Sequence, residues 1–420
     1  MGTARAGEER RHLPLYALLT GTGVSIVGSL MTLIAVPWFV LQTTGSPAKT
    51  GITTAVWVLP VILSGALAGP IVDRVGHKRI GVVGDLGAGL SVAAVPTLYH
   101  TVGLPFAALL LIVFVRGLAD FPGRTGRRSL VPQLAELAGW PLERANAAFA
   151  TIQNLALLLG PALAGVLIAR FSPSNVMWLD AATYGFSAAM TALFVPRPAP
   201  ERTATDPAER YRERLLDGYR FVRRDRLLLT LLGFTTLNTL LTSPLFDVEL
   251  PVYARQVFDS AVALGLMSAG YGAGALASSF LYGAFGERLP RRAMLLGSVV
   301  LTALPLGLLT LEPPLPLAML ALGLSGFAAG PVGPLYQTVV QERVGSAMRG
   351  RIFGLSGVTF VAMPLGVLAA GFLIQGFGVR LALVLQAACI LAAALILSRL
   401  PALHALDHAA EADEIAVRQL

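Results

Sequence analysis

The sequence is poor in charge and in cysteine. Charged residues occupy only 13% of its 420 positions, half of the ~25% that is usual in soluble proteins. Disordered chains are polar and highly charged, so this composition excludes disorder as well as an ordinary soluble domain. The single cysteine, Cys389, lies in an apolar run and has no partner for an intramolecular disulfide. We expect it to be a small core residue.

Motifs for enzymatic chemistry are also lacking. No glycine-rich phosphate-binding loop occurs, which argues against direct drive by ATP. The histidines have no metal-site spacing deep in an apolar run; they are His12, His77, His100, His404 and His408. We therefore expect neither an enzyme nor a bound cofactor or metal ion.

Hydrophobic residues, by contrast, make up 55% of the chain, and the mean hydropathy is +0.69. A helix needs about 20 apolar residues to cross ~30 Å of hydrocarbon. A window of that length predicts twelve spans, approximately 13–41, 49–72, 79–99, 104–122, 146–170, 174–196, 227–252, 260–284, 292–311, 315–338, 350–376 and 379–400. These runs are too long for the roughly ten-residue strands of a barrel. The sequence therefore predicts an all-α membrane protein with twelve transmembrane helices.

The orientation follows from the lysines and arginines between the spans. Twenty-seven of the 32 lie on one side, four lie on the other, and Arg116 lies within the fourth span. Because basic loops stay in the cytoplasm, both termini are predicted to be cytoplasmic, in a bacterial inner membrane. The same loops account for the net charge of +8, so we expect the lipid bilayer, and not nucleic acid, as the partner. A monomer is the default expectation.

One long polar connection divides the chain into two halves. Within it, Tyr211, Leu215, Tyr219 and Val222 are spaced to share one helical face. This spacing predicts either an amphipathic helix on the inner membrane surface or a solvated linker helix. The predicted organisation is a cytoplasmic tail (1–12), a six-helix bundle (13–196), a cytoplasmic linker (197–226), a second six-helix bundle (227–400) and a cytoplasmic tail (401–420).

The two halves repeat a short polar motif. Residues 69–79 (GPIVDRVGHKR) stand between spans two and three, and residues 283–292 (GAFGERLPRR) stand between spans eight and nine. Four pairs match at a spacing of 214, namely Gly69 and Gly283, Asp73 and Glu287, Arg74 and Arg288, and Lys78 and Arg292. Residues 165–168 in span five match residues 371–374 in span eleven at a spacing of 206. Repeated six-helix halves are typical of transporters that hold substrate near the middle of the membrane.

These features resemble the major facilitator superfamily over nearly the whole chain. Residues 69–79 are similar to its loop between helices two and three. Residues 160–165 resemble the helix-five motif of antiporters, with Val166 replacing the second glycine of the closing pair. Asn146, residues 341–343 (QER) and residues 349–351 (RGR) are similar to the exporter branch, which includes siderophore (enterobactin-type) and macrolide efflux proteins. The resemblance implies proton-driven export.

Two groups of residues are candidates for gating. They are Gly69, Asp73, Arg74, Gly76, Lys78 and Arg79 with Glu287 and Arg288, and Gly160, Pro161 and Gly165. An acid at the inner mouth suits a helix N-terminus, and basic residues there suit acids of the opposite half. Pro161 is expected to bend its helix. The alternatives are a loop that only signals topology and ordinary helix packing at 160–165.

Ionisable residues inside the spans are candidates for proton coupling, because each costs about 2.5–3.5 kcal/mol or more at the bilayer centre. Arg116 matches the helix-four arginine of the superfamily, which is implicated there in proton transfer. Asp120 lies one helical turn further on, which predicts an Arg116–Asp120 ion pair. Asp85 in span three is expected to take up protons because its surroundings are apolar. Static ion pairs that only fasten helices are the alternative.

The acids at the outer ends of the spans are less constrained. Asp247 and Glu249 lie near the outer end of span seven, where they either accept protons or attract a cationic substrate, or are solvated at the interface. We favour solvation for both. Asp180 is predicted to be an exposed residue at the start of span six.

A substrate cavity is expected between spans one, four, seven and ten. The candidate lining residues are Thr22, Ser25 and Ser29 in span one, Phe234, Thr235 and Asn238 in span seven, and Tyr336 and Gln337 in span ten. Such a mostly apolar lining suits an amphiphilic organic molecule better than a sugar or an ion. For any single hydroxyl, a hydrogen bond between helices is the alternative.

The sequence thus predicts a secondary transporter that exports an amphiphilic, drug-like or siderophore-like molecule by alternating access, in exchange for protons. Uptake, uncoupled facilitation and a non-transporting membrane sensor on the same fold are the alternatives.

Overall fold

In a computed structural model, the chain is built from helices. The structure describes residues 2–196, 218–286, 289–344, 352, 357–404 and 406, without the side chains of residues 2–10, 64–74, 357, 358 and 404. The described parts contain no strand. The main helices are α1 (Gly2–Thr44), α2 (Pro47–Val75), α3 (His77–Thr101), α4 (Phe106–Leu137), α5 (Leu142–Phe171), α6 (Pro173–Phe194), α7 (Arg226–Phe258), α8 (Ala261–Phe285), α9 (Arg291–Leu309), α10 (Leu315–Arg343), α11 (Thr359–Phe377) and α12 (Val379–Ser398).

Within the described residues, ten of these helices are long and apolar enough to cross a membrane. The two others are α2, whose described apolar stretch is Pro47–Leu63, and α6. Large apolar side chains remain exposed on the outside of the helices, such as Phe280 and Leu193. In a membrane protein such residues face lipid, so the prediction of a multi-pass, all-α membrane protein is confirmed.

The chain divides into two compact units. Unit 1 comprises Met1–Gly45 and Thr53–Tyr211, and unit 2 comprises Ser46–Ile52 and Arg212–Leu420. In unit 1, α1 packs on α5 and α6, and α3 packs on α4 and α6. In unit 2, α7 packs on α11, α9 packs on α10 and α12, and α8 packs on α10. The pairs 1–5, 3–4 and 3–6 therefore recur as 7–11, 9–10 and 9–12.

Glycine makes the tightest connections possible. Gly76 separates α2 from α3 with a φ of 91°, and Gly378 separates α11 from α12 with a φ of 85°. This left-handed region is open to glycine and strained for most other residues. The predicted turn at 376–380 between spans eleven and twelve is therefore confirmed, and it consists of a single residue.

Small residues also allow close approach of helices within each unit. A Cβ atom on Gly84 of α3 would lie 2.6 Å from the Cα atom of Gly123 of α4. In unit 2, a Cβ atom on Gly366 of α11 would collide with the backbone oxygen of Leu240 in α7. Contacts of this kind replace the hydrophobic effect as the basis for helix association in lipid.

Two expectations need correction. Span four was expected to end near residue 122, but α4 continues to Leu137, so Arg124, Arg127 and Arg128 are helical residues and not loop residues. Cys389 is exposed on α12 and is not in the core. In the linker, residues 197–217 lie outside the described residues. Val222 is buried against Leu228 and Val340, whereas Tyr219 is exposed.

Candidate functional site

A buried polar network joins three helices of unit 1. Nη2 of Arg116 on α4 lies 3.3 Å from Oδ2 of Asp180 on α6, and both side chains are buried. Thr32 of α1 donates a hydrogen bond of 2.5 Å to the same carboxylate oxygen. Tyr184 completes the network, with its hydroxyl 3.4 Å from Arg116 Nη2 and 3.0 Å from Ser29 Oγ. Every member comes from an otherwise apolar helix, so the network compensates the cost of burying a charge.

The predicted Arg116–Asp120 pair is wrong. Asp120 instead accepts a hydrogen bond of 3.0 Å from Nε of Arg124, one turn further along α4. Helical side chains lean toward the N-terminus, so Arg124 leans back over Asp120 while Arg116 leans away from it. Asp180 was expected to be an exposed helix start, but it is fully buried and is the partner of Arg116.

A second buried ion pair links α3 to α4. The carboxylate of Asp85 contacts Nη1 of Arg127, and both side chains are almost fully buried. Asp85 was a candidate proton carrier, and its arginine partner was placed in a loop by the sequence analysis. The spacing of the two arginines was the available signal for a longer helix. Arg127 lies eleven residues, or about three helical turns, after Arg116, so both lie on the same face of α4.

The acids of α7 have different surroundings. Asp247 and Glu249 lie in a π-helical turn, Leu245–Glu249, and are 5% and 2% exposed, so the favoured solvated position is wrong. Within the described part of the chain, neither carboxylate forms an ion pair, and Oε2 of Glu249 has no hydrogen-bond partner. The side-chain amide of Gln386 on α12 faces Glu249. That amide also donates a hydrogen bond of 2.7 Å to the backbone oxygen of Leu241.

Unit 1 contains an open polar cavity of about 570 Å³. Its lining comes from α1, α4 and α5 and consists of Thr22, Ile26, Leu30, Arg124, Thr125, Arg127, Arg128, Ser129, Phe149, Gln153, Asn154 and Leu157. Thr22 is the one predicted lining residue of span one that reaches it. Its hydroxyl is buried and has no hydrogen-bond partner among the described residues. The lining therefore combines basic and hydrogen-bonding side chains with apolar ones.

A smaller, apolar cavity of about 40 Å³ lies elsewhere in unit 1. It is lined by α1, α2, α3, α4 and α6, and its residues include Val36, Trp57, Val95 and Met177. Arg116 is also part of this lining, so the apolar cavity adjoins the Arg116–Asp180 pair.

Other predicted lining residues make contacts within their helices. Ser29 donates to the backbone oxygen of Ser25 as well as meeting Tyr184, and Thr235 donates to Leu232. Of the remaining candidates, Ser25 and Phe234 are buried, Asn238 and Tyr336 are half-buried, and Gln337 is exposed. Ser29 forms the hydrogen bond between helices that was the alternative, whereas the hydrogen bond of Thr235 stays within its own helix.

The gating candidates at 160–165 lie in a continuous helix. Pro161 and Gly165 are buried within α5. A Cβ atom on Gly160 would lie 2.7 Å from the Cβ atom of Leu30, which shows how closely α5 approaches α1. Packing and gating use this same geometry, so both alternatives stay open.

The other gating candidates are only partly described. The side chains of Gly69, Asp73 and Arg74, and the residues Glu287 and Arg288, lie outside the described part of the structure. Gly76 forms the turn described above, and Arg79 is exposed. Nζ of Lys78 donates to the backbone oxygens of Ala192 and Val195 at the end of α6, a contact that the sequence did not predict.

In the described part of the chain, no three histidine, cysteine or acidic side chains are grouped to hold a metal ion. The described residues form a partly basic cavity in unit 1 and place two buried carboxylates in unit 2 that have no ion-pair partner among them.

Comparisons with known proteins agree with these features. The sequence model of the transmembrane secretion effector family matches residues 14–418. The chain is 32% identical to the multidrug efflux pump Tap of Mycobacterium tuberculosis over 404 residues, covering 95% of this chain and 96% of the relative. It is 21% identical to macrolide efflux protein A of Streptococcus pyogenes over 408 residues, covering 94% and 98%.

Solved structures show the same fold. The nucleoside transporter NupG aligns with a TM-score of 0.77 at 13% identity, covering 92% of this chain and 98% of NupG. A bacterial homologue of the lysosomal transporter Spinster, in an inward-facing conformation, aligns with a TM-score of 0.70, also at 13% identity. The match over nearly the full length, together with the helical fold and its buried charges, shows that the chain belongs to the transmembrane secretion effector family of major facilitator transporters.

Proposed function

We propose that the protein exports an amphiphilic small molecule by alternating access and that protons entering the cell drive the export. The main support for proton coupling is Glu249, a buried acid whose Oε2 atom has no hydrogen-bond partner among the described residues. An inward proton gains about 2.3 kcal/mol per 100 mV of membrane potential. A carrier of that proton must be stable in both its charged and its neutral form during the cycle.

The other buried acids suit this task less well. Asp85, Asp120 and Asp180 each face an arginine, so their charged forms are already compensated. Protonation of the carboxylate in such a pair would leave a buried guanidinium group without a counter-charge, which is costly. Asp247 and Glu249 have no arginine partner among the described residues, and their neutral forms suit their surroundings. We therefore assign proton coupling to the acids of α7 and a structural role to the three pairs.

The substrate class rests on the relatives and on the cavities. Tap is named for multidrug efflux and macrolide efflux protein A for macrolides, so two relatives are named for drug efflux. The polar cavity of unit 1 combines apolar residues with arginines and amides, a lining suited to molecules that have both apolar and polar parts. An amphiphilic organic molecule is the occupant that fits both facts.

We also propose twelve transmembrane helices in two six-helix repeats. The support is the set of ten apolar helices with α2 and α6 in addition, and the recurrence of three helix pairs six helices later. We place the protein as a monomer in a bacterial inner membrane, with both termini in the cytoplasm. The basic residues between the spans favour that orientation.

A reconstitution experiment tests the coupling. Purified protein in liposomes with an interior pH dye receives, in turn, macrolides, lipophilic cations and siderophores. We expect at least one compound to produce a proton flux that depends on the protein. Glu249→Gln and Asp247→Asn should each lower this flux at least tenfold, while substrate binding measured without a gradient changes less than threefold.

Asp259→Asn is the matched control. Asp259 is an exposed acid at the end of α7 with a φ of 43°. Asparagine tolerates this conformation, so the variant loses one acidic charge without strain. Its flux should equal that of the wild type. Full proton flux in the Glu249→Gln, Asp247→Asn double variant would refute the assignment, and substrate movement without protons would leave only facilitated export.

A further inference from the structure

The polar cavity of unit 1 has a one-sided charge. Its lining contains three arginines and no acid. Arg124 and Arg127 are compensated by Asp120 and Asp85 from behind the lining. Arg128 forms no ion pair with a described carboxylate and instead lies over the ring of Phe149, 4.2 Å from its centroid. The cavity therefore carries one positive charge that its own walls do not neutralise.

Two of these arginines stand at an unfavourable spacing. Arg124 and Arg128 are one helical turn apart on α4, and both side chains line the same cavity. Like charges at that spacing destabilise a helix unless an anion lies between them. Guanidinium groups bind carboxylates, sulfonates and phosphates through paired hydrogen bonds. Asp120 already offsets the charge of Arg124, so an anionic group in the cavity would chiefly compensate Arg128.

Neutral groups around the arginines complete a site for an acceptor-rich ligand. Gln153 and Asn154 of α5 are exposed to the cavity and present amides. Thr22 is 4% exposed, and its hydroxyl has no hydrogen-bond partner among the described residues. A buried hydroxyl without a partner is uncommon and costs free energy. Ile26 and Leu30 of α1 and Leu157 of α5 add apolar side chains to the lining.

We propose that this cavity binds amphipathic organic anions, with the acidic group between Arg124 and Arg128 and the apolar body against α1 and α5. The proposal depends on the export function only where it calls the ligand a substrate. It narrows the amphiphilic class to molecules with a carboxylate, sulfonate or phosphate. It also predicts discrimination against organic cations, because a cation would be repelled by the uncompensated charge of Arg128.

Equilibrium binding with two probes of opposite charge tests the site. The full-length protein is placed in phosphatidylcholine nanodiscs and titrated with dansylglycine, a carboxylate, and dansylcadaverine, an amine with the same fluorophore. The wild type should bind dansylglycine at least tenfold more tightly. Arg128→Gln should lower that affinity about tenfold, or ~1.4 kcal/mol. Arg128→Lys should retain it within threefold, and Thr22→Val should lower it severalfold.

Arg170→Gln is the matched control, since it removes one positive charge from an exposed position that does not line the cavity. It should leave both affinities unchanged. Equal or tighter binding of dansylcadaverine by the wild type would overturn the proposal, as would an equal effect of Arg170→Gln and Arg128→Gln. Binding needs no proton gradient, so loss of flux with intact binding would count against the export function and not against the site.

A lipid headgroup offers the same chemistry as a free organic anion. Repeating the titration in nanodiscs that contain phosphatidylglycerol separates the two sources. We expect dansylglycine to bind the wild type with unchanged affinity there. If phosphatidylglycerol displaces the probe from the wild type, the cavity takes a lipid headgroup and its assignment to a soluble substrate is overturned.

Discussion

Lys78 and Arg292 make the same contact in the two units. Nζ of Lys78, near the start of α3, donates to the backbone oxygens of Ala192 and Val195 at 2.8 and 2.6 Å. Nη2 of Arg292, near the start of α9, donates to the backbone oxygen of Ser398 at 2.8 Å. In each unit a cation therefore meets the C-terminal end of the sixth helix, where carbonyl oxygens lack helical partners and the helix dipole is negative.

Because the contact is the same, its removal should lower the stability of the protein equally in the two units. Lys78→Met and Arg292→Met should each destabilise the protein by about 1 kcal/mol, because each removes charged hydrogen bonds that are partly exposed to water. Lys78→Arg should restore most of the loss. Thermal unfolding in detergent measures the effect, with Arg79→Met as the neighbouring exposed control. If Lys78→Met melts like the control, the contact does not stabilise α6.

The two ion pairs of Arg116 and Arg124 on α4 should differ sharply in how much stability is lost when their carboxylate is removed. Asp180→Asn leaves Arg116 buried without its carboxylate, and breaking such a buried pair costs about 3–5 kcal/mol. Asp120→Asn should cost under about 1 kcal/mol, because the side chain of Arg124 is 44% exposed and can reach water. Melting temperatures of the two purified variants test this order. Equal losses would mean that burial of Arg116 does not set the cost.

The architecture was largely predictable because its cause is composition. A chain with 55% hydrophobic residues, in apolar runs too long for barrel strands, satisfies its backbone in lipid with helices. The cavity was partly predictable as well, since Thr22 was named from its place on span one and does line the polar cavity. The repeat spacing also identified Lys78 and Arg292 as equivalents, although it did not identify what they contact.

Partners on different helices were not predictable from one sequence. The Arg116–Asp120 prediction used the only spacing that a sequence displays, four residues along one helix. The actual partner, Asp180, lies 64 residues away on α6. Asp85 and Arg127 were missed as a pair for the same reason, and the arginine was also misplaced because α4 is longer than its apolar run. Packing of helices, and not periodicity along one of them, determines which charges meet.

Close packing of α1 against α5 predicts a strong effect at Gly160. Gly160→Ala would place a Cβ atom 2.7 Å from the Cβ atom of Leu30, so one helix must shift. Overpacking of this kind costs about 1–3 kcal/mol. Leu30→Ala retains the obstructing atom and should not rescue the variant, whereas Leu30→Gly should. Gly185→Ala is the control, because no atom lies within 4 Å of its added Cβ. Unfolding temperatures that match for the two alanine variants would contradict the prediction.

The Asp85–Arg127 pair provides a test of structural against coupling roles. Both side chains are buried and in contact, so Asp85→Asn and Arg127→Gln should each cost about 3–5 kcal/mol by leaving one charge uncompensated. Replacing both residues with apolar ones, Asp85→Leu with Arg127→Met, should recover stability relative to either single variant, because no buried charge remains. If Asp85 only fastens α3 to α4, this double variant should also keep proton-coupled flux within severalfold of the wild type in liposomes. A double variant that is stable but moves substrate without protons would transfer the coupling role from Glu249 to Asp85. Asp247 and Glu249 would then be buried acids whose purpose lies outside proton transport.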